Sequence, residues 1–329
     1  MPPFDSPRLL ADIGATYARF TLEPASGVFD HSVSLRCADH ADFHAAVSTY
    51  LGRLPTELAS GIEHAAIAIA NPVQGDEVRM TNYHWCFSIE QMRQRLGLES
   101  LVVLNDFEAL ALSLPRLQPG QLRAVGNVPA LATRAALAVV GPGTGLGVAG
   151  IVPSDQGWVA VPGEGGHATL AAVDDRDAAV LAAARKAHPH VSAERLLSGI
   201  GLPALHQAVV AVAGQTAPVL TAKAIVERGL SGECALCSQT LDDFCALLGS
   251  FAGNVALTLG ARGGVFIGGG IVPRLGDRFA QSAFRERFEA KGRFQTYLQA
   301  IPTWLITDTL AALTGAALAL EQHHGGRGA

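Results

Sequence analysis

The stretch that decides the fold is Leu101-Val102-Val103-Leu104-Asn105-Asp106-Phe107-Glu108-Ala109-Leu110. Its four consecutive apolar residues predict a short buried strand, and a helical pattern begins at Phe107. Asn105 and Asp106 then lie at the carboxyl end of a strand, where open α/β sheets bind their ligands. A carboxylate beside a helix amino terminus stays ionised and can accept a proton. Either residue also fits the N-cap of that helix, so position alone leaves both roles open.

Length and composition limit the class of protein. The chain has 329 residues, about twice a typical domain, so we expect two lobes that each bury a core. Hydrophobic residues make up 49% and charged residues 16%, which indicates a well-packed protein rather than a disordered one. A net charge of −5 without a basic cluster argues against nucleic acid as a partner.

The sequence predicts a cytoplasmic protein with no membrane partner. No apolar run is as long as a membrane span, and the amino terminus lacks the charged and apolar regions of a secretion signal. The five cysteines are therefore expected to be reduced thiols. Cys234 and Cys237 form a C-x-x-C pair, but no second pair at zinc-site spacing follows, which favours structural thiols on or beside a helix.

Two strand–turn–strand segments carry small residues in their turns. The first, residues 9–22, contains D-x-G-x-T from Asp12 to Thr16. Such a turn lets backbone N–H groups approach a phosphate, while Asp12 can hold hydrated Mg²⁺, although a purely local turn also fits. The second, residues 136–152, has four glycines in a seven-residue turn, which favours close contact with a phosphate. The repeat predicts two related halves that face each other.

Three further segments carry polar groups or glycines. Residues 78–85, which include Asn82, suit a polyol ligand or an ordinary strand and loop with Trp85 in the core. Glu164 and His167 fit a metal pair, an acid/base pair or partners of a hydroxylated ligand. Ser192 is predicted to cap a helix whose first turn contains Glu194. Gly268–Gly270 follow a strand, and glycines at a strand end allow the close approach of a nucleotide base or ribose. Residues 114–129 are predicted to form a crossover between the lobes.

The ordered motifs resemble those of the bacterial glucokinases, which belong to the hexokinase and actin-like ATPase superfamily. They are D-I-G-A-T, M-T-N, L-N-D-F, G-P-G-T-G-L-G, P-G-E-G-G-H, S-A-E-R-L-L-S-G, G-G-V-F-I-G-G-G-I-V-P-R and K-G-R-F. The resemblance covers the chain from Leu10 to about Leu320. It implies a two-lobed α/β fold with a cleft between a small domain (1–114, completed by the C-terminal helix 309–329) and a large domain (115–308).

The resemblance also implies roles for individual residues. Asp106 would be the catalytic base toward the sugar's 6-hydroxyl, and Asp12 would hold Mg²⁺ through water. The other implied glucose ligands are Asn82, Asn105, Glu164, His167 and Glu194. The implied ATP-binding residues are Ala11, Asp12, Ile13, Gly14, Ala15, Thr16, Gly143, Thr144, Gly145, Gly268, Gly269 and Gly270.

The implied function is an ATP-dependent glucokinase that forms glucose 6-phosphate, the first step of glycolysis, with ATP, Mg²⁺ and glucose as its small-molecule partners. Closure of the lobes would exclude water, which would otherwise hydrolyse ATP. A catalytically weakened glucose-sensing homologue and a broader hexose kinase are the alternatives, and a homodimer is left open. A DNA-binding repressor is disfavoured because the first phosphate motif already begins at Asp12, which leaves no room before it for an N-terminal DNA-recognition domain.

Several positions depart from the family pattern. Relatives usually read D-x-G-G-T-N where this chain has Ala15 and Tyr17, and Ile200 replaces a usual proline. Asp308-Thr309-Leu310 replaces a D-N-P-G-L type of turn. Ala15 would be strained if its position required a positive φ. These changes affect the implied nucleotide-binding residues more than the implied sugar-binding residues.

Overall fold

The computed structural model describes residues 6–81, 83–126, 134–155 and 157–325. The chain divides into two compact units, Met1–Leu117 with Thr309–Ala329 and Gln118–Asp308. The predicted boundary after residue 114 lies three residues before this division. Among the described helices, none is both long and apolar enough to cross a membrane.

The N-terminal segment of the first unit begins with strands and ends with the helix that starts at Asp106. Its elements are β1 (Arg8–Ile13), β2 (Tyr17–Ala25), β3 (Val28–Arg36), α1 (Phe43–Leu51), α2 (Thr56–Ser60), β4 (His64–Ile69), β5 (Glu77–Arg79), β6 (Cys86–Ser88), α3 (Ile89–Arg95), β7 (Ser100–Asn105) and α4 (Asp106–Ser113).

The second unit follows, and the chain then returns to the first unit. The second unit's elements are β8 (Leu122–Ala124), β9 (Leu137–Pro142), β10 (Leu146–Ser154), β11 (Gly157–Gly163), α5 (Asp175–Arg185), α6 (Leu202–Val212), α7 (Ala222–Leu230), α8 (Ala235–Leu259), β12 (Gly264–Ile267), α9 (Val272–Leu275), α10 (Asp277–Ala280), α11 (Phe284–Glu289), α12 (Gln295–Gln299) and β13 (Thr303–Ile306). The last helix is α13 (Ala311–Gly325).

The two units are built on sheets with the same plan. The first sheet has the order β3-β2-β1-β4-β7, with β1, β4 and β7 parallel and β2 antiparallel to β1. The second has the order β11-β10-β9-β12-β13-β8, with β9, β12 and β13 parallel and β10 antiparallel to β9. In each sheet an antiparallel hairpin, β1–β2 or β9–β10, is continued by parallel strands. The internal repeat predicted from the two glycine-containing turns is confirmed.

Burial explains why the central strands read as apolar runs. All six residues of β4 are buried, because helices cover the parallel part of the first sheet. Helix α13 packs against α4 and against β1, β4 and β7. Gly315 of α13 lies against the backbone carbonyl of Ala109, where a Cβ atom would not fit. The C-terminal helix therefore supports the helix that begins at Asp106.

One local prediction is wrong. Residues 192–200 form turns instead of a helix that starts at Ser192. The backbone N–H groups of Ala193 and Glu194 donate to the carbonyl oxygens of Ala168 and Gly166. Hydrogen bonds to a neighbouring loop therefore fix the conformation of this segment. The prediction that residues 114–129 cross between the lobes agrees with the division after Leu117, and β8 within this segment pairs with β13 at the edge of the second sheet. Residues 127–129 lie outside the described part of the chain.

Candidate active site

Asp106 is the first residue of α4 and follows directly on the carboxyl end of β7. Its carboxylate is half-buried, and its Oδ1 accepts a hydrogen bond from the backbone N–H of Phe107 at 2.9 Å. The positive end of the α4 dipole favours the ionised carboxylate. An ionised, partly accessible carboxylate at this edge of the sheet can accept a proton from a bound hydroxyl.

Asn105 is the N-cap of α4, so the structural role considered from the sequence is present. Its Oδ1 accepts from the backbone N–H groups of Phe107 (2.9 Å) and Glu108 (3.2 Å). Its Nδ2 donates to the carbonyl oxygen of Asn71 at 3.3 Å. Because an amide nitrogen carries two hydrogens, the cap still leaves Asn105 a donor with which to reach a ligand.

Asn71 is a functional candidate that the sequence reasoning missed. It follows β4, is buried, and accepts hydrogen bonds at Oδ1 from the backbone N–H (2.9 Å) and the hydroxyl (2.6 Å) of Thr81. Asn71 thus connects Asn105 to the segment that precedes Asn82. Its signal in the sequence was its place at the end of the strand beside β7. Asn82 itself lies outside the described residues.

The turn after β1 contains the first group of predicted phosphate ligands. Gly14 N–H donates to the carbonyl of Tyr17 at 3.0 Å and closes the turn, while Thr16 is exposed at its tip. Ala15 does not have a positive φ. The strain considered for this position is therefore absent. The side chains of Ala11 and Ile13 lie in the core, so any contact they make with a nucleotide would come from their backbone.

Asp12 is paired with Arg19, the second residue that the sequence reasoning did not identify. Arg19 Nη1 lies 2.9 Å from Asp12 Oδ2, across the antiparallel pair β1–β2. Burial raises the pKa of the Asp12 carboxyl, and the charge of Arg19 and its hydrogen bond oppose that rise. Arg19 thus helps to keep Asp12 in the charged form that a hydrated cation requires.

The strand register places Asp12 and Asp106 at the same end of the first sheet, where β1 and β7 finish. Ile13, Ile69 and Asn105 are direct neighbours across β1, β4 and β7. At about 4.8 Å between adjacent strands, the Cα atoms of Ile13 and Asn105 are roughly 10 Å apart. The turn after β1 and Asp106 therefore border the same end of the sheet.

Glu164, His167 and Glu194 form a cluster within the second unit. The Nε2 atom of His167 lies 3.9 Å from a carboxylate oxygen of Glu164 and 3.9 Å from one of Glu194. Glu164 and His167 are exposed, whereas the side chain of Glu194 is only 22% exposed. Two carboxylates and an imidazole within a few ångströms offer several hydrogen bonds to vicinal hydroxyls.

The second glycine turn, Gly143–Gly145, is held beside that cluster. The backbone N–H of Leu146 donates to Glu194 Oε2 at 2.9 Å. The N–H of Gly199 donates to the carbonyl of Gly143 at 2.8 Å, and that of Ile200 to Thr144 at 3.2 Å. Ile200 therefore reaches the turn through its backbone N–H, which a proline at this position would lack.

The third glycine segment, Gly268–Gly270, is attached to the same turn. Gly268 N–H donates to the carbonyl of Val140 at 2.9 Å, and Ile271 N–H to Pro142 at 3.2 Å. Gly269 has a φ of 75° and lies against the carbonyl of Pro142, so a side chain would be strained and would collide there. Gly269 and Gly270 are exposed, which leaves a flat backbone surface for a ring.

One group of described residues has the composition of a metal site. Ligand atoms of Glu63, His64 and Glu99 lie within 4.8 Å of one another. His64 pairs with Ser100 across β4 and β7, at the end of the sheet opposite Asn105. This group is therefore separate from the edge that carries Asp106.

The solved structures define the class. A crystal structure of a glucokinase from an Antarctic psychrotroph matches with a TM-score of 0.89 and 40% sequence identity, over 96% of this chain and 99% of that one. Together with the two related sheets, this match identifies the fold as that of the hexokinase-type sugar kinases with actin-like ATPase architecture. The predicted fold class is confirmed.

Sequence comparison then identifies the family. The family model for glucokinase matches residues 9–323. A curated glucokinase of Chromobacterium violaceum is 51% identical over 96% of this chain and 90% of its own length. One of Aromatoleum aromaticum is 52% identical over 96% of this chain and 95% of its own. The chain belongs to the glucokinase family, and the resemblance seen in the motifs is confirmed.

Proposed function

We propose that this protein transfers the γ-phosphoryl group of ATP to the 6-hydroxyl of D-glucose and releases glucose 6-phosphate. Family membership, with identities near 50% to curated glucokinases, is the observation that carries the activity.

Asp106 is the general base. It lies at a helix amino terminus and at a strand end, which keeps the carboxylate ionised and accessible. In phosphoryl transfer most of the catalytic effect comes from alignment and charge stabilisation, and the aspartate takes the proton that the attacking hydroxyl loses. Asn105, oriented by its cap and by Asn71, donates to a neighbouring hydroxyl.

Glu164, His167 and Glu194 hold the remaining hydroxyls of the sugar, and Asn82 joins them in this proposal. The Glu194 carboxylate also accepts from Leu146 N–H, so it is fixed before glucose binds. A preorganised acceptor loses less conformational entropy on binding than a mobile one.

The two glycine turns bind the phosphates of ATP, and Gly268–Gly270 border its adenosine. Small residues let backbone N–H groups approach the phosphate oxygens, and Thr16 and Thr144 add hydroxyl donors. Asp12 would hold Mg²⁺ through bound water, which suits a cation that keeps several waters. A cation held there would supply charge neutralisation during phosphoryl transfer.

An assay that couples glucose 6-phosphate formation to a dehydrogenase, with glucose and Mg-ATP, tests the proposal. Asp106→Asn keeps the shape of the side chain and removes the base, so kcat should fall by roughly 10²- to 10⁴-fold. Glu108→Gln is the matched control, since it neutralises another carboxylate in the first turn of the same helix and should stay near the wild-type rate.

The outcomes separate the alternatives. Calorimetry that detects glucose binding to the wild-type protein, without turnover in the assay, would support the glucose-sensing homologue. Equal kcat/KM values for glucose and for mannose would support the broader hexose kinase. A rate that survives Asp106→Asn within threefold would remove the proposed base.

A further inference from the structure

Two cysteines at the start of α8 have a geometry that the phosphoryl-transfer site does not use. Cys234 is the N-cap of α8, and its Sγ accepts from the backbone N–H of Cys237 at 3.4 Å. Cys234 is half-buried, whereas Cys237 is fully buried one turn further along the helix. Both are free thiols. An accessible thiol at a helix amino terminus, followed three residues later by a buried one, suits a nucleophilic thiol and a resolving thiol.

We propose that Cys234 and Cys237 are a redox modification site at which the two thiols close into a reversible disulfide within one chain. Helix geometry separates Cα atoms three residues apart by about 5 Å, which lies inside the range of Cα separations that a disulfide bridges.

The surroundings give the two thiols different acidities. The backbone N–H and the thiol of Cys237 stabilise the Cys234 thiolate and, together with nearby Arg228, lower the pKa of Cys234 despite partial burial. Burial is the main cause that raises the pKa of Cys237. Cys234 is therefore the attacking group and Cys237 the group that reacts second.

The charged groups that face the pair come from α7 and from the loop before α8. The N–H of Cys234 donates to the carbonyl of Arg228 at 3.2 Å, and Arg228 Nε lies 3.1 Å from a carboxylate oxygen of Glu233. Glu233 offsets part of the positive charge of Arg228. The helix amino terminus and the Cys237 N–H then remain the principal stabilisers of the thiolate.

The reaction needs an oxidant of the small-molecule disulfide class, such as oxidised glutathione. The Cys234 thiolate attacks one sulfur of that disulfide, which breaks its S–S bond, forms a mixed disulfide at Cys234 and releases one thiolate. Cys237 then loses its proton and attacks Cys234 Sγ, which releases the second small thiol. Two protein thiols are oxidised by two electrons, and one small disulfide is reduced to two thiols that carry the two protons.

The test uses the full chain with Cys86→Ser, which removes an exposed thiol. After equilibration with mixtures of reduced and oxidised glutathione, alkylation and mass spectrometry should show the loss of two thiols per chain. Peptide mapping should locate the new bond between Cys234 and Cys237, and dithiothreitol should reverse it. If both thiols stay reduced in excess oxidised glutathione, or a stable mixed disulfide forms with no internal bond, the proposal is wrong.

Two further variants keep the result interpretable. Cys234→Ser retains a good N-cap residue, and Cys237→Ala leaves only a small change in the core. Each should fold, as judged by retained glucose phosphorylation, and each should abolish the internal disulfide. In the protein with both thiols, iodoacetamide should alkylate Cys234 at neutral pH about tenfold faster than free cysteine. A rate equal to that of free cysteine would contradict the role given to Cys234.

Discussion

The carboxylate of Glu194 accepts a hydrogen bond from the backbone N–H of Leu146 at 2.9 Å, directly after the glycine turn Gly143–Gly145. One side chain thus belongs both to the proposed sugar cluster and to the support of the proposed phosphate turn. Displacement of Glu194 should therefore affect the binding of both substrates. This coupling is a consequence of the fold of the second unit alone.

Gly145→Ala should displace Glu194. An added Cβ would collide with Glu194 Oε2, whereas a Cβ at Gly143 would meet nothing within 4 Å. We expect Gly145→Ala to raise the KM for glucose about tenfold or more and to lower the melting temperature, since the loss of one hydrogen bond to a charged group costs about 1.5–3 kcal/mol. Gly143→Ala is the matched control for stability. Equal melting temperatures for the two variants would contradict this explanation.

Ala15→Gly tests the state of the first phosphate turn. Because Ala15 does not have a positive φ, glycine relieves no strain there and only adds freedom to the unfolded chain. The variant should lose about 0.4–1 kcal/mol of the free energy of unfolding, measured with urea. An increase in stability would mean that Ala15 is strained after all.

Arg19→Ala should change the pH dependence of the reaction. Burial raises the pKa of Asp12 and Arg19 opposes that rise, so the pKa of Asp12 should rise further in the variant. The ionised form of Asp12, which we propose holds Mg²⁺ through water, is then lost at a higher pH as the solution is acidified. The acid limb of kcat/KM for Mg-ATP should move to higher pH, while Arg53→Ala, at an exposed arginine, should leave it in place. A shift toward lower pH would be inconsistent with this role.

Glu321→Gln tests the attachment of α13. Arg8 is buried and lies between Glu23, at 2.5 Å, and Glu321, at 3.2 Å, and Arg116 also pairs with Glu321. The amide loses the charge while Glu23 remains, so we expect the free energy of unfolding to fall by about 1.5–3 kcal/mol. Glu57→Gln, at an exposed glutamate, should change it by less than about 0.5 kcal/mol. Similar losses in both variants would show that the Arg8 network has no special role.

The strands and the glycine turns could be predicted because their signals are local. Apolar runs ended by Asn105 or by glycines mark strand ends whatever the rest of the chain does. The start of α1 is also fixed locally, since its N-cap Asp42 accepts a hydrogen bond from Ala45 N–H at 2.7 Å.

The missed features depend on neighbours that are distant in sequence. The pairing of Arg19 with Asp12 requires the register of β1 with β2, and the contact of Asn71 with Asn105 requires β4 beside β7. The segment after Ser192 has a helix-like pattern, yet its N–H groups bond to Ala168 and Gly166. Tertiary contacts determine the conformation of this segment, and the local sequence pattern does not predict such contacts.

The most direct test of the account is a crystal structure of the protein with glucose. We predict that a carboxylate oxygen of Asp106 lies within about 3 Å of the 6-hydroxyl oxygen of the bound sugar. Glucose bound with its 6-hydroxyl away from Asp106 would contradict the proposed mechanism.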